Sequence, residues 1–349
     1  MRVINKVISF VCILTLVFIL LACEETEPLV ENLNVQSEQI DKNVTLNHDL
    51  SNNDKGMNLQ DITYFFKNPE TGQEFDIVHA YLLYEEFFDA VKTKTEESST
   101  ELYKQIITER VYDVCFKDGE HYKYSVYEWV PEETEVDSIK MKIETMNKDH
   151  INNLFEESLL KSSNILSTDE KTTVCVFPEN KGFPSGMMTV GKGKITVLFY
   201  IFDSEEDMNE IDNYRKSAMS HEYHHSIWTE KHHTGKHYFM TVLDSFVMEG
   251  QAVLFETLVY PELNSTDFLV DANFNKEYWS LVETYLKSSS SAQLLMGGSN
   301  GLPDNYGYSE GYKINKAYLE LNPDMSVEEW TSKSPTEIFE ESNYISNYK

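Results

Sequence analysis

His221-Glu222-Tyr223-His224-His225 decides how this 349-residue chain is read. On an α-helix, positions four apart share a face, so the imidazoles of His221 and His225 can converge on one point. Neutral imidazole is a good zinc donor, and a fourth coordination position can hold water. Glu222 follows His221 by about 100° around the helix, where its carboxylate can reach that water. The surrounding residues support a helix: Tyr214, Ala218, His221, His225 and Trp228 form one continuous stripe. Two polar rings on an otherwise apolar face need a partner. With ten histidines in the chain, five residues alone do not exclude a merely His-rich surface, so a third ligand decides the matter.

Val247-Met248-Glu249-Gly250-Gln251-Ala252 offers one, 24 positions after His225. Glu249 lies among apolar residues of an expected helix spanning Thr241 to Leu258, a costly setting unless the carboxylate is paired or metal-bound. Gly250 beside it permits close approach of two helices. His232, His233 and His237 compete for the same role, but their segment is polar and reads as solvated. Glu256 follows Glu249 by seven residues on the same helical face and could orient a ligand histidine, although a solvent-facing glutamate is the simpler expectation. Asp244 is a second such candidate. An acyl-transfer site also needs a donor for developing negative charge. Tyr308 and Tyr312, around the Gly297 to Gly311 loop, are the candidates, weighed against ordinary packing for a chain with 21 tyrosines.

Outward from this centre, the chain reads as one α+β domain, mostly helical, with a small β-sheet ahead of the histidine helix. Helical periodicity is expected for Ile77 to Val91, Leu102 to Tyr112 and Met141 to Leu166. The pattern turns β-branched at Thr172 to Phe177. Strands are also expected at Met187 to Val190 and Ile195 to Phe202, around a Gly191-Lys192-Gly193 turn. Asp203 and Ser204 are plausible caps for the helix that follows. Near the end, Ser326-x-x-Glu329 and Ser334-Pro335-Thr336-Glu337 have the spacing of helix starts. Cys115 and Cys175 sit in apolar stretches. A disulfide between them is allowed, and two separate buried thiols are at least as expected.

The front of the chain speaks to compartment. Arg2 and Lys6 precede an apolar run from Val7 to Leu21, and Leu20-Leu21-Ala22-Cys23 then gives way to Glu24-Glu25. The run is short for a membrane span, which needs about 20 residues. It has the layout of a signal peptide, here residues 1–22, and its end resembles the lipobox of bacterial lipoproteins. That resemblance implies lipidation of Cys23 and a cell-membrane, extracellular-side location. Residues 23–58 read as a flexible acidic and polar tether, and 59–349 as the folded domain. The formal charge is −30, becoming −32 once residues 1–22 with Arg2 and Lys6 are removed. Such acidity argues against nucleic acid as a partner.

His221 to Ile227, with Leu243-Asp244 and Met248-Glu249-Gly250-x-Ala252, resembles the predicted bacterial zinc-dependent proteases of the YjaZ type. The likeness extends to Gly193-Lys194-Ile195, Tyr306-Gly307-Tyr308-x-x-Gly311-Tyr312-Lys313-Ile314, Asn322-Pro323 and Glu329-Trp330-Thr331. It is best over residues 150–345. The pairing of HExxH with a later glutamate is similar to the gluzincins. The resemblance implies a zincin-like metallopeptidase that binds Zn2+ through His221, His225 and Glu249 and hydrolyses peptide or protein substrates with Glu222 as base. It also implies an edge strand, here Ile195 to Phe202, that pairs with extended substrate. Gln251-Ala252-Val253 departs from the more acidic continuation expected there, which leaves the ligands intact and bears on substrate preference. The alternative is a catalytically silent lipoprotein receptor or scaffold that keeps the fold.

Overall fold

Thr172–Pro178 (β3) is buried at every position because both of its faces are covered, as expected of an interior strand with parallel neighbours. Cys175 and Phe177 point into one apolar cluster, and Val174 and Val176 into another on the opposite face. This is the period-2 alternation of a strand serving two layers. The computed structural model describes residues 57–94, 96–179, 186–199, 208–233, 239–263, 266–290 and 296–349. The expected signal peptide, Cys23, most of the expected tether, residues 200–202 of the expected strand, the expected caps Asp203 and Ser204, and His237 lie outside the described residues.

Among the described residues five strands form one sheet in the order β1-β2-β3-β5-β4. They are β1 (Thr63–Lys67), β2 (Glu74–Val78), β3, β4 (Gly186–Gly191) and β5 (Lys194–Phe199). The helices are α1 (Tyr84–Thr93), α2 (Ser99–Tyr103), α3 (Glu109–Cys115), α4 (Val136–Thr145), α5 (Lys148–Ile165), α6 (Met208–His232), α7 (Val242–Val259), α8 (Thr266–Leu269), α9 (Lys276–Val282), α10 (Tyr306–Leu321), α11 (Val327–Thr331) and α12 (Pro335–Glu341). One face of the sheet packs on α1 to α4, the other on α5 and α6. A third apolar cluster joins α7, α9, α10 and α12. The α+β, mostly helical expectation holds.

Several local expectations give way. Ile77 and Val78 belong to β2, and the helix expected from Ile77 begins only at Tyr84. A short apolar run is ambiguous by periodicity, and here the gap between β1 and β3 makes it a strand. The stretch Met141 to Leu166 is two helices, because Asn147 turns extended and caps α5 through the His150 amide. The expected edge strand is interior: the turn at Gly193, which has φ +63°, folds β4 back outside β5. The edge beside the histidine helix is therefore β4. Its outer side is partly used, since the His121 amide donates to the Val190 carbonyl at 2.8 Å. Cys115 and Cys175 are joined in a disulfide that ties α3 to β3, with Cα atoms 6.0 Å apart. The expected starts of α7, α11 and α12 are present, with Thr241, Ser326 and Ser334 as N-caps and Pro335 at the first helical turn.

Candidate metal centre

α6 is a 25-residue helix, and its middle two turns carry His221, Glu222 and His225. Tyr223, between them, is fully buried on the sheet side, where its single hydroxyl proton has two acceptors, Gln73 Oε1 and the Leu166 carbonyl, both at 2.7 Å. That anchor sets the rotation of the helix and leaves His221 and His225 facing α7. Behind them His224 packs on Trp330 with ring centroids 5.3 Å apart and meets Thr331 Oγ1 at 3.2 Å. Trp330 and Thr331 thus back the histidine helix at His224, while Glu329 caps the start of α11.

α7 brings Glu249 to the histidines. The Nε2 atoms of His221 and His225 each lie 3.1 Å from Glu249 Oε2. Each of the three residues offers a ligand atom, and all three atoms fall within 4.8 Å of one another. Side-chain exposure is only 7 to 15% across the trio. Two imidazole nitrogens and a carboxylate oxygen converging in a nearly dry site match the donor set of zinc with one position left for water. The residues fit the ion.

The helices reach this geometry through glycine. A Cβ built on Gly250 would stand 2.0 Å from the Gly311 carbonyl carbon, and one on Gly311 would stand 1.7 Å from the Phe246 oxygen. α7 and α10 therefore cross backbone against backbone. Asn315 Nδ2 fastens the crossing by donating to the carbonyls of Val247 and Gly311. Tyr308 and Tyr312 consequently sit on a helix, not on the glycine-rich loop, which ends at Asn305 in the left-handed conformation. Tyr308 lies beside the centre, its ring 6.1 Å from that of His221. Tyr312, one turn on, has Lys316 over its ring at 5.8 Å.

The electrostatics follow from burial and proximity. Burial alone would push the His221 imidazole down, but the Glu249 and Glu256 carboxylates outweigh it and hold the ring well above its usual range. Burial drives the Glu249 carboxyl up, and His225 and His221 overcome this and bring it down to about 2. Glu222 is different: burial raises it, and the two histidines only partly offset the shift. Thr189 of β4 places its hydroxyl 2.8 Å from the Glu222 carbonyl and 2.9 Å from Oε2, tying the edge strand to that carboxylate.

Glu256, for which the simpler expectation was solvent, is 3% exposed. Its Oε2 accepts from Ser217 Oγ at 3.1 Å and stands 3.7 Å from His221 Nδ1. It therefore faces the ring nitrogen that points away from Glu249. The seven-residue spacing was the available signal, and the apolar neighbours Phe255 and Leu254 strengthen it. Asp244 does other work, completing the Thr241 capping box at the start of α7. His232 and His233 are half-buried instead of solvated. His232 stacks on Trp228 at 4.2 Å and bonds the Thr331 carbonyl, and neither histidine joins the three-ligand group. His121 gave no sequence signal; its Nε2 lies 3.3 Å from Thr229 Oγ1, one turn beyond His225. Burial, aided by His233 and His225, pushes its pKa down to about 3.

No curated protein and no solved structure matches the chain. A family model described as predicted Zn-dependent protease matches residues 151–340, more than half of the chain and the part that holds α6, α7 and α10. The chain belongs to this family of predicted Zn-dependent proteases.

Proposed function

We propose that this protein is a membrane-anchored, extracellular zinc peptidase that hydrolyses peptide bonds, with His221, His225 and Glu249 holding the metal and Glu222 as general base. The observation that carries the reading is the convergence of His221 Nε2, His225 Nε2 and Glu249 Oε2 in a site of low exposure. Zinc bound there would supply Lewis acidity and a water acidified toward neutral pH.

The chain's own residues supply the rest. Glu222, with its carboxyl raised by burial, is suited to take a proton from the attacking water and return it to the leaving amine. Thr189 holds that carboxylate in place from β4. Glu256, 3.7 Å behind His221 Nδ1, favours the proton on that nitrogen, which leaves Nε2 for the metal. Tyr308 is the phenol placed to donate to the oxyanion, with Tyr312 the second candidate a turn away. An extended peptide would add to the outer edge of β4 over Gly186 to Thr189, because the Val190 carbonyl is already engaged by His121. Lipid on Cys23 and the tether through residue 58 would hold the domain at the outer membrane face. Retention of a buried glutamate next to the first histidine favours an enzyme over a silent receptor or scaffold, which has no use for a base.

The test is hydrolysis of a mixed peptide library by the purified chain. Cleavage that stops with chelator and returns with zinc is expected. A zinc-loaded chain that cleaves nothing in the library would contradict the reading.

A further inference from the structure

Gly119-Glu120-His121 lies across the end of β4, backbone against backbone. A Cβ on Gly119 would stand 2.9 Å from the Val190 oxygen, and one on Gly191 would stand 2.9 Å from the Glu120 nitrogen. His121 donates its amide to the Val190 carbonyl at 2.8 Å, and Glu120 Oε2 accepts from the Lys192 amide at 3.0 Å. From there the His121 ring reaches α6. Its Nε2 lies 3.3 Å from Thr229 Oγ1, and its ring meets that of His233 at 4.8 Å. One residue thus spans from the edge strand to the metal helix.

This bridge has a fixed place relative to the metal centre. On β4 it starts one residue past Thr189, whose hydroxyl holds Glu222. On α6 it ends one turn past His225, about 6 Å along the helix axis. An extended chain advances about 3.3 Å per residue, so about two residues fit between the metal and the bridge. The bridge is also held from behind. Cys115, just before it, is bonded to Cys175 of β3, Phe116 is fully buried, and the Lys117 carbonyl accepts from Lys194 Nζ at 2.5 Å. A segment tied covalently to the sheet is a fixed barrier. Among the described residues no backbone group bonds the outer side of β4 from Gly186 to Thr189, so the bridge closes one end of the groove and leaves that stretch clear.

We propose that the peptidase acts at chain ends, removing one or two residues, because His121 closes the groove between β4 and α6 just beyond the metal. The proposal rests on the peptidase reading and names its substrate class: a linear peptide with a free end within two residues of the bond that is cut. Water adds across that bond, and an amino acid or a dipeptide leaves. A cyclic peptide or the interior of a folded chain cannot enter, since its backbone would have to pass through the bridge. His121 sets specificity here and takes no part in breaking the bond.

The zinc-loaded full chain is offered linear decapeptides and the head-to-tail cyclic form of each sequence, with products read by mass spectrometry. Products shortened by one or two residues from one end are expected, with no cleavage of the cyclic forms. A bulky tag on the N- or C-terminus identifies that end, because only one of the two tags should stop cleavage. His121→Ala, which opens the path to Thr229, should move cuts three or more residues inward in a chain that still melts cooperatively. The contrast should also appear without turnover: Glu222→Gln should bind a linear peptide in fluorescence anisotropy, and its cyclic form at least roughly tenfold more weakly. Interior cuts or cyclic-peptide hydrolysis by the wild type, equal binding of the two forms, or an unchanged pattern in folded His121→Ala would each overturn the proposal and leave a peptidase. A chain that cuts neither form would contradict the peptidase reading itself. If His121→Ala does not fold, the linear and cyclic pairs decide on the wild type alone.

Discussion

Two buried glutamates on adjoining helices, Glu249 on α7 and Glu310 on α10, have opposite surroundings. Glu310 is closed. One of its oxygens accepts from the hydroxyls of Tyr344 and Tyr348 at 2.5 and 2.6 Å, and the other meets Lys313. Every neighbour is a donor, so the charge is satisfied and the C-terminal turn is pinned to α10. Glu249 is open. Its neighbours are two imidazole nitrogens, each of which can act as an N–H donor or, as a bare nitrogen, bind a metal, and one of the rings has a further carboxylate behind it. Counting donors separates a structural carboxylate from one waiting for a cation, although both are buried.

The comparison can be broken at either end. The largest expected effect is on chemistry: Glu222→Gln should lower the peptide-hydrolysis rate by about 10^2- to 10^4-fold while zinc content stays at the wild-type level. Equal activity in assays of the two proteins would remove the base from the mechanism. Next is Glu310→Ala, which strands Lys313 and two phenols and should cost ~3–5 kcal/mol in denaturant unfolding. The zinc content of the chain that remains folded should not change. A large loss of zinc with intact stability would reverse the roles assigned to the two glutamates.

His79 provides a third case, an imidazole with an amide partner and no carboxylate. It is fully buried, its Nε2 lies 2.8 Å from Asn152 Oδ1, and burial brings its pKa down to about 4. The neutral ring is favoured in the folded state. Its contribution is complete above the unfolded value of about 6.5 and is lost as pH falls from there toward 4, up to a limit on the order of 3 kcal/mol. Urea unfolding of His79→Gln should show less acid sensitivity over that interval than wild type; identical slopes would mean that His79 titrates alike in both states. The smallest effect is expected at Glu256→Gln, which keeps the shape and removes the charge behind His221. Zinc affinity should fall about 10- to 100-fold in competition with a chromophoric chelator. Unchanged affinity would reduce Glu256 to a packing residue.

Much of the centre was legible because helical spacing is a local rule. His221 and His225 share a face by arithmetic, and Gly250 announced a close helix crossing whose partner, Gly311, was beyond the reach of local reading. β3 to β5 and the capped helix starts were equally local. What the chain withheld is decided by neighbours distant in sequence. β2 looks helical until β1 and β3 flank it, and Cys115 meets Cys175 across a sequence separation of 60. Glu256 reads as solvent-facing until Ser217 and His221 close over it. The tyrosines were expected on a loop because Gly307 and Gly311 suggest flexibility. Both are helical glycines instead: a Cβ on Gly307 would collide with Met296, and one on Gly311 with the Phe246 backbone.

The most direct measurement is the metal content of the purified chain and of Glu249→Ala, by plasma mass spectrometry after dialysis against buffer depleted of metal. One zinc per wild-type chain, with near-complete loss in a Glu249→Ala protein that still melts cooperatively, is the predicted result. Zinc that stays at the same stoichiometry without Glu249, or a wild-type chain that holds none after zinc loading, would contradict it.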